Sequence, residues 1–217
     1  MIQALLWDMD GVLVDTTDIH FWSWSVALQE HGWNLSHQDF LKTFGMNNRA
    51  TLHQLFGPLS DELIETITDR KEILFRQNLN GQVKIYPGVI DWLEFALKNG
   101  VFCAIASSAP PENITAILEH FKLAPYFSVL VSASVLPSKP DPAVFLKAAK
   151  RLKMAPQSCL VVEDAPSGAL AANRAGMHCL VVLTTRTKPE FPPVDLIMDR
   201  LSDRNPAEVL NKIDQVV

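Results

Sequence analysis

The chain has 217 residues, 48% hydrophobic and 20% charged, with 24 acidic against 19 basic side chains and a formal charge of −5. That length supports one full core plus a small accessory domain, with the composition of an ordinary soluble enzyme. The negative balance counts against a nucleic-acid partner, since phosphate backbones select basic faces. No apolar run reaches the roughly 18 residues that predict a membrane span.

In chain order, the first expected element is a strand at Ala4–Trp7. It runs directly into Asp8, Asp10, Gly11 and Asp15. Carboxylates at the end of a buried strand are costly unless something compensates them. Residues 16–86 then offer no convincing buried strand. Helices are expected over residues 19–31, near 38–44, near 49–55 and over 60–79. Ser60 is the N-cap of the last of these, and Leu63, Ile67 and Leu74 share a face. This is too much ordered pattern for a loop. It reads as an all-helical insertion with linkers near residues 14–17 and 80–86.

From Pro87 onward, strands and helices alternate. Val89, Leu93 and Ala96 mark one helix face. A strand over residues 101–106 follows, then a helix opened by Pro110 and Pro111 that carries Ile114, Ile117, Leu118 and Phe121 on its face. Further strands are expected over 127–132, 159–162, 178–183 and Leu196–Met198. Asp141 and Pro142 open a helix between the first two of these, and a small-residue helix spans 165–175. The strand runs are continuous rather than alternating, as in a parallel sheet buried on both faces. The expected fold is therefore an α/β, doubly wound parallel sheet, formed by residues 1–15 and 87–217, with a helical cap of residues 16–86 inserted after the first strand.

In such sheets the site lies beyond the carboxyl ends of the strands. The polar residues that follow the apolar runs are Asp8 and Asp10 after the first, Ser107 and Ser108 after the second, Lys139 beyond the third, and Glu163 with Asp164 after the fourth. Four carboxylates, a lysine and hydroxyls on one edge suit a Mg²⁺ site for phosphoryl transfer, because a hard cation prefers oxygen ligands and commonly shares them with a phosphate. Asp8 and Asp10 are two apart, so in extended backbone both side chains leave on one side, and Gly11 lets the chain turn away.

These segments stand as Asp8-Met9-Asp10-Gly11-Val12-Leu13-Val14-Asp15, Ala106-Ser107-Ser108, Ser138-Lys139-Pro140-Asp141-Pro142 and Val162-Glu163-Asp164-Ala165-Pro166-Ser167-Gly168. In that order they resemble the haloacid dehalogenase superfamily over essentially the whole chain. The similarity is to the branch with a helical cap, which holds β-phosphoglucomutases and sugar-phosphate phosphatases. The resemblance implies that Asp8 attacks phosphorus to form an aspartyl-phosphate and that Asp10 is the general acid and base. It implies that Ser107 and Lys139 hold the phosphoryl group. Asp8, the main-chain carbonyl of Asp10, Glu163 and Asp164 would hold Mg²⁺. It places His20 and Arg49 of the cap against the substrate. Ser108 reads either as a further substrate contact or only as a cap for the helix that follows. Asp10 argues against dehalogenation, in which no alkoxide needs a proton.

In the mutase pattern, basic and amide side chains after the serines hold a distal phosphate. Here Ala109, Pro110 and Pro111 stand in their place. The expected function is therefore Mg²⁺-dependent hydrolysis of a small phosphorylated metabolite such as a sugar phosphate. The alternatives are a phosphoglucomutase with the same covalent chemistry and a non-catalytic binding module. Asn113 is a candidate substitute for the missing amide. Arg70 and Lys71 read as a solvated pair, and Trp22, Trp24 and Trp33 as cap core. Cys103, Cys159 and Cys179 lie in or beside apolar runs, and no basic leader with a cleavage site opens the chain. The expectation is a cytoplasmic monomer or weak dimer with buried thiols.

Overall fold

The computed structural model describes residues 1–215. Strand β1 (Ala4–Trp7) leads into the two-residue strand β2 (Val14–Asp15) and then four helices, α1 (Thr17–Gln29), α2 (His37–Thr43), α3 (Asn48–Phe56) and α4 (Asp61–Gln77). Strand β3 (Lys84–Ile85) returns the chain to α5 (Val89–Lys98), β4 (Phe102–Ser107), α6 (Pro111–His120) and β5 (Val129–Ser132). The rest is α7 (Ala143–Leu152), β6 (Cys159–Glu163), α8 (Pro166–Arg174), β7 (His178–Val182), β8 (Leu196–Met198) and α9 (Pro206–Asp214).

Six strands form one parallel sheet in the order β5-β4-β1-β6-β7-β8. Successive residues of β1 bury on opposite faces. Leu5 and Trp7 join a cluster with Trp92 and Ile117, while Ala4 and Leu6 join one with Phe145 and Ala169. Two covered faces explain why the strand sequences are continuously apolar. The order reverses at β1: the chain runs from β1 outward through β4 to β5, then returns to pair β6 on the other side. The crevice at this switch point is where open α/β sheets place their sites.

Helices α1–α4 have a cluster of their own, centred on Trp24, Leu28, Phe40, Leu52 and Ile67. Ser60 caps α4 by accepting from the Leu63 amide, as its sequence predicts. Trp33 stacks on Phe56 with ring centroids 4.4 Å apart, but Trp22 is exposed rather than part of this core. The two linkers are not independent loops. Val14 pairs with Ile85 and Asp15 with Lys84 as an antiparallel ribbon at the base of the helical segment. No helix among the described residues is long and apolar enough to cross a membrane. The three cysteines are buried and unpaired, and burial pushes the Cys103 thiol up to about 12.

Asn47 joins the helical segment to the sheet domain. Its Oδ1 accepts from the Ala50 amide to cap α3, and its Nδ2 donates to the carbonyls of Ala133 at 3.3 Å and Leu136 at 3.2 Å. Alanine there removes the cap and leaves two carbonyls without this partner. The expected cost is about 2 kcal/mol in urea unfolding. A change below about 0.5 kcal/mol would show that the cap and tether contribute nothing net.

Candidate active site

Asp8 leaves β1 with its amide bonded to the Val162 carbonyl at 3.0 Å, which fixes it beside the end of β6. The chain then turns back within four residues, the amides of Val12, Leu13 and Val14 all pointing at the Met9 carbonyl. Gly11 makes this turn at φ +84°, and a Cβ there would collide with the Asp164 carboxylate. Glycine is therefore required twice over, for backbone conformation and for space.

Lys139 lies at the centre. Its Nζ is 2.6 Å from Asp8 Oδ1 and 2.6 Å from Glu163 Oε1, and it sits 4.9 Å from the centroid of the Phe145 ring. Asp8, Glu163 and Asp164 are all buried, with an oxygen from each within 4.8 Å of the others. Glu163 Oε2 accepts from the amides of Asp164 at 2.9 Å and Ala165 at 3.0 Å. Thr185 donates to Asp164 Oδ2. Against three carboxylates stands one ammonium, a formal excess of two negative charges. Burial first, then Glu163 and Asp10, push Asp8 up to about 7 against the pull of Lys139. Burial, with Glu163 and Asp8 adding to it, likewise raises Asp164 well above the usual carboxylate range. An all-oxygen, buried, over-negative cluster fits a hard divalent cation.

Asp10 is set differently. Its Oδ1 accepts from Thr16 Oγ1 at 2.6 Å and faces His20 Nε2 at 3.2 Å. An ionised carboxylate only accepts, so Nε2 must carry the hydrogen in that state. Burial favours the protonated acid, but His20, Thr16 and Lys71 outweigh it and hold Asp10 below its ordinary value. Burial, with Lys71 beside it, keeps the His20 imidazole low, so at neutral pH it offers Asp10 a hydrogen bond rather than a charge. His20 is also stacked on Phe75, with centroids 4.3 Å apart.

One small cavity, about 40 Å³, brings these groups together. The sheet domain contributes Asp8, Asp10, Ser107 and Ser108, and the helices contribute His20, Trp24, Asn48 and Lys71. Ser107 Oγ accepts from the Ala109 amide at 3.1 Å. Ser108 Oγ is buried with no hydrogen-bond partner among the described residues. A buried hydroxyl left unbonded costs about 1–3 kcal/mol, which a bound ligand would recover. The volume holds a few waters, so a larger molecule enters only if the helices move away from the sheet.

Of the residues singled out in the sequence, Asp8, Asp10, Ser107, Ser108 and His20 line this cavity, with Lys139, Glu163 and Asp164 clustered about Asp8. Arg49 does not line it. Its guanidinium is half exposed and bonds Asp61 at 2.6 Å, while its neighbour Asn48 turns inward. Lys71 is the reverse case: it is 2% exposed, lines the cavity and lies 5.4 Å from the Trp24 ring centroid, while Arg70 is the solvated member, paired with Glu30. Lys71 follows Ile67 by four residues and precedes Leu74 by three, on the buried stripe of α4, and that spacing is the signal that identifies it. Thr16 and Thr185 have no comparable signal.

Residues 5–182 match the haloacid dehalogenase-like hydrolase family profile. A phosphorylated carbohydrates phosphatase of Thermotoga maritima is 30% identical over 179 residues, covering 82% of this chain and 83% of that protein. Hexitol phosphatase A of Escherichia coli is 31% identical over 203 residues, covering 92% of this chain and 91% of that one. The crystal structure of a β-phosphoglucomutase from Clostridium difficile superposes with a TM-score of 0.89 at 23% identity, covering 100% of this chain and 99% of that chain. This last likeness bears on the fold, which is shared along the whole length. Matched along most of its length by the profile and by relatives of 30% identity, the chain belongs to the haloacid dehalogenase-like hydrolases.

Proposed function

We propose that this protein is a Mg²⁺-dependent phosphatase that hydrolyses a small phosphorylated sugar or polyol through an aspartyl-phosphate on Asp8. The observation that carries this reading is the pairing of two unlike carboxylates in one cavity. Asp8 lies among buried acids and Lys139, and Asp10 is held apart by Thr16 and His20. The relatives named as carbohydrate and hexitol phosphatases support the proposed substrate class.

In this scheme an Asp8 oxygen attacks phosphorus as the ester P–O bond breaks, and Asp10 delivers its proton to the departing oxygen. Asp10 then takes a proton from the water that attacks the aspartyl-phosphate. The acid role needs a protonated Asp10, whereas His20, Thr16 and Lys71 favour the ionised form. An arriving phosphate dianion pushes the other way, because like charge favours the neutral acid. Ser107 and Ser108 bind phosphoryl oxygens, and Lys139 stays against the negative charge throughout. Mg²⁺, held by Asp8, Glu163, Asp164 and the Asp10 carbonyl, would shield that charge as it spreads. Residues 16–86 form the cap that opens for substrate and closes to exclude bulk water.

A panel of phosphomonoesters with Mg²⁺ and with a chelator tests this. Phosphate release from sugar or polyol esters, reduced at least about 100-fold by the chelator, is the expected result. Conversion of β-glucose phosphate to its isomer without net phosphate release would identify a mutase instead. No turnover of any ester would overturn both readings.

Gly168 gives a second test. A Cβ there would run into the Glu163 carboxylate. Gly168→Ala should displace that ligand and raise the Mg²⁺ concentration for half-maximal activity about tenfold or more. An unchanged Mg²⁺ dependence would remove Glu163 from the metal site.

A further inference from the structure

We infer that Glu72 sets substrate choice by excluding esters whose remaining part is anionic, so that the site takes monophosphates with an uncharged, hydroxylated remainder. This inference rests on the phosphatase reading above. Glu72 is 5% exposed and lines the catalytic cavity from α4. Its Oε1 accepts from Lys71 Nζ at 2.9 Å and from Asn48 Nδ2 at 2.8 Å. Its Oε2 accepts from Asn113 Nδ2 at 2.5 Å. Burial alone would favour the protonated acid, but Lys71 and the hydrogen bonds from Asn48 and Lys71 hold Glu72 below its ordinary value.

The cations that could receive a second anion are committed elsewhere. Lys71 is bound to Glu72 itself. Arg49, paired with Asp61, and Arg76, which donates to Asn113 Oδ1 at 2.9 Å, line a neighbouring cavity of about 600 Å³ on the far side of Glu72, outside the catalytic one. The sheet domain adds Ala109 and Pro110 to the lining, which carry no charge. Within the catalytic cavity, a phosphate or carboxylate at the far end of the substrate therefore meets a fixed buried carboxylate whose neighbouring ammonium, Lys71, is already bonded to it, and no second cation. Hydroxyl groups meet the reverse: Glu72 can accept from them and Asn48 can bond them. Like charges about 5 Å apart in such surroundings correspond to a penalty on the order of 100-fold in affinity. Glu72 also ties α4 to α6 through Asn113, so a purely structural role would weaken every substrate alike.

The test compares kcat/KM for sorbitol phosphate with that for fructose bisphosphate and for phosphoglycolate, in the unaltered protein, Glu72→Gln and Glu72→Asp. The unaltered protein is expected to favour sorbitol phosphate about 100-fold. Glu72→Gln should narrow that ratio at least tenfold, mainly through a lower KM for the two esters with an anionic remainder, while Glu72→Asp, which keeps the charge, should preserve it. An equal loss across all three esters in Glu72→Gln, or no preference in the unaltered protein, would overturn the inference and leave the phosphatase reading standing. Turnover of none of the esters would overturn both. If Glu72→Gln does not fold, loss of the preference in a folded Glu72→Asp would count against a role for charge.

Discussion

Asp8→Asn is expected to reduce turnover at least about 10⁵-fold, roughly 7 kcal/mol of transition-state free energy, and to leave the fold intact. An amide does not displace an alkoxide from phosphorus, and no other carboxylate holds the same place. Asp10 is turned to Thr16 and His20, Glu163 is fixed by two amides, and Asp164 is bonded to Thr185. The fold should survive because asparagine fills the same volume and can still accept from Lys139. The change also removes one of three crowded negative charges, so the metal-free variant should unfold at the same or a higher urea concentration than the unaltered protein. Turnover within about 100-fold of the unaltered protein would show that Asp8 is not the nucleophile.

Lys139→Met should have the second largest effect, on both stability and activity. Lys139 is the one ammonium within bonding distance of Asp8 and Glu163 among the described residues. Removing one partner of a buried ion pair costs about 3–5 kcal/mol, because the remaining charge stays buried without compensation. The pH dependence has a definite sign. Asp8 rises from 3.8 to about 7 on folding without metal, so the native state holds its proton more tightly than the unfolded chain. Stability is then fully present at low pH and is lost as pH rises through about 7. Without Lys139, Asp8 holds its proton to higher pH still, so the loss deepens and continues further upward. Urea midpoints at about pH 5.5 and about pH 8 should therefore diverge more in the variant. Added Mg²⁺ should restore part of the loss, because it binds only the folded site. Activity should fall at least about 10³-fold. Midpoints that match the unaltered protein at both pH values would mean that Lys139 does not neutralise this cluster.

The sheet was legible because burial on both faces leaves an uninterrupted apolar run at each strand. The expected strand over residues 159–162 stops one residue short of β6 only because Glu163 is a carboxylate inside a strand. The core site was legible from the set rather than from any one motif: Asp8-x-Asp10-Gly11 alone would serve as a strand-ending turn, and only Lys139 and Glu163-Asp164 beyond later strands single it out. The helical segment was legible as helices, through the Ser60 cap and the Ile67 and Leu74 stripe. Which of its polar residues face inward was harder to read. One position along a helix rotates the side chain by about 100°, so Asn48 and Lys71 point in while Arg49 and Arg70 point out. Hydrophobic spacing could have separated Lys71 from Arg70, but Asn48 and Arg49 sit at the start of a short helix with little stripe to compare. The β2–β3 ribbon was not legible, since two residues per strand carry no periodicity. Thr16 and Glu72 depend on partners 6 and 41 residues away, Asp10 and Asn113, and no local pattern reveals such pairs.

In the proposed mechanism Asp8 carries the phosphoryl group between ester and water. The measurement that bears on it most directly is an acid quench of the Mg²⁺-loaded enzyme during turnover of a sugar monophosphate, followed by peptide mass spectrometry. The expected result is a phosphoryl group on the peptide containing Asp8, labile to hydroxylamine and missing from Asp8→Asn. Steady phosphate release with the phosphoryl group on another residue, or with no labelled enzyme at any quench time, would contradict it.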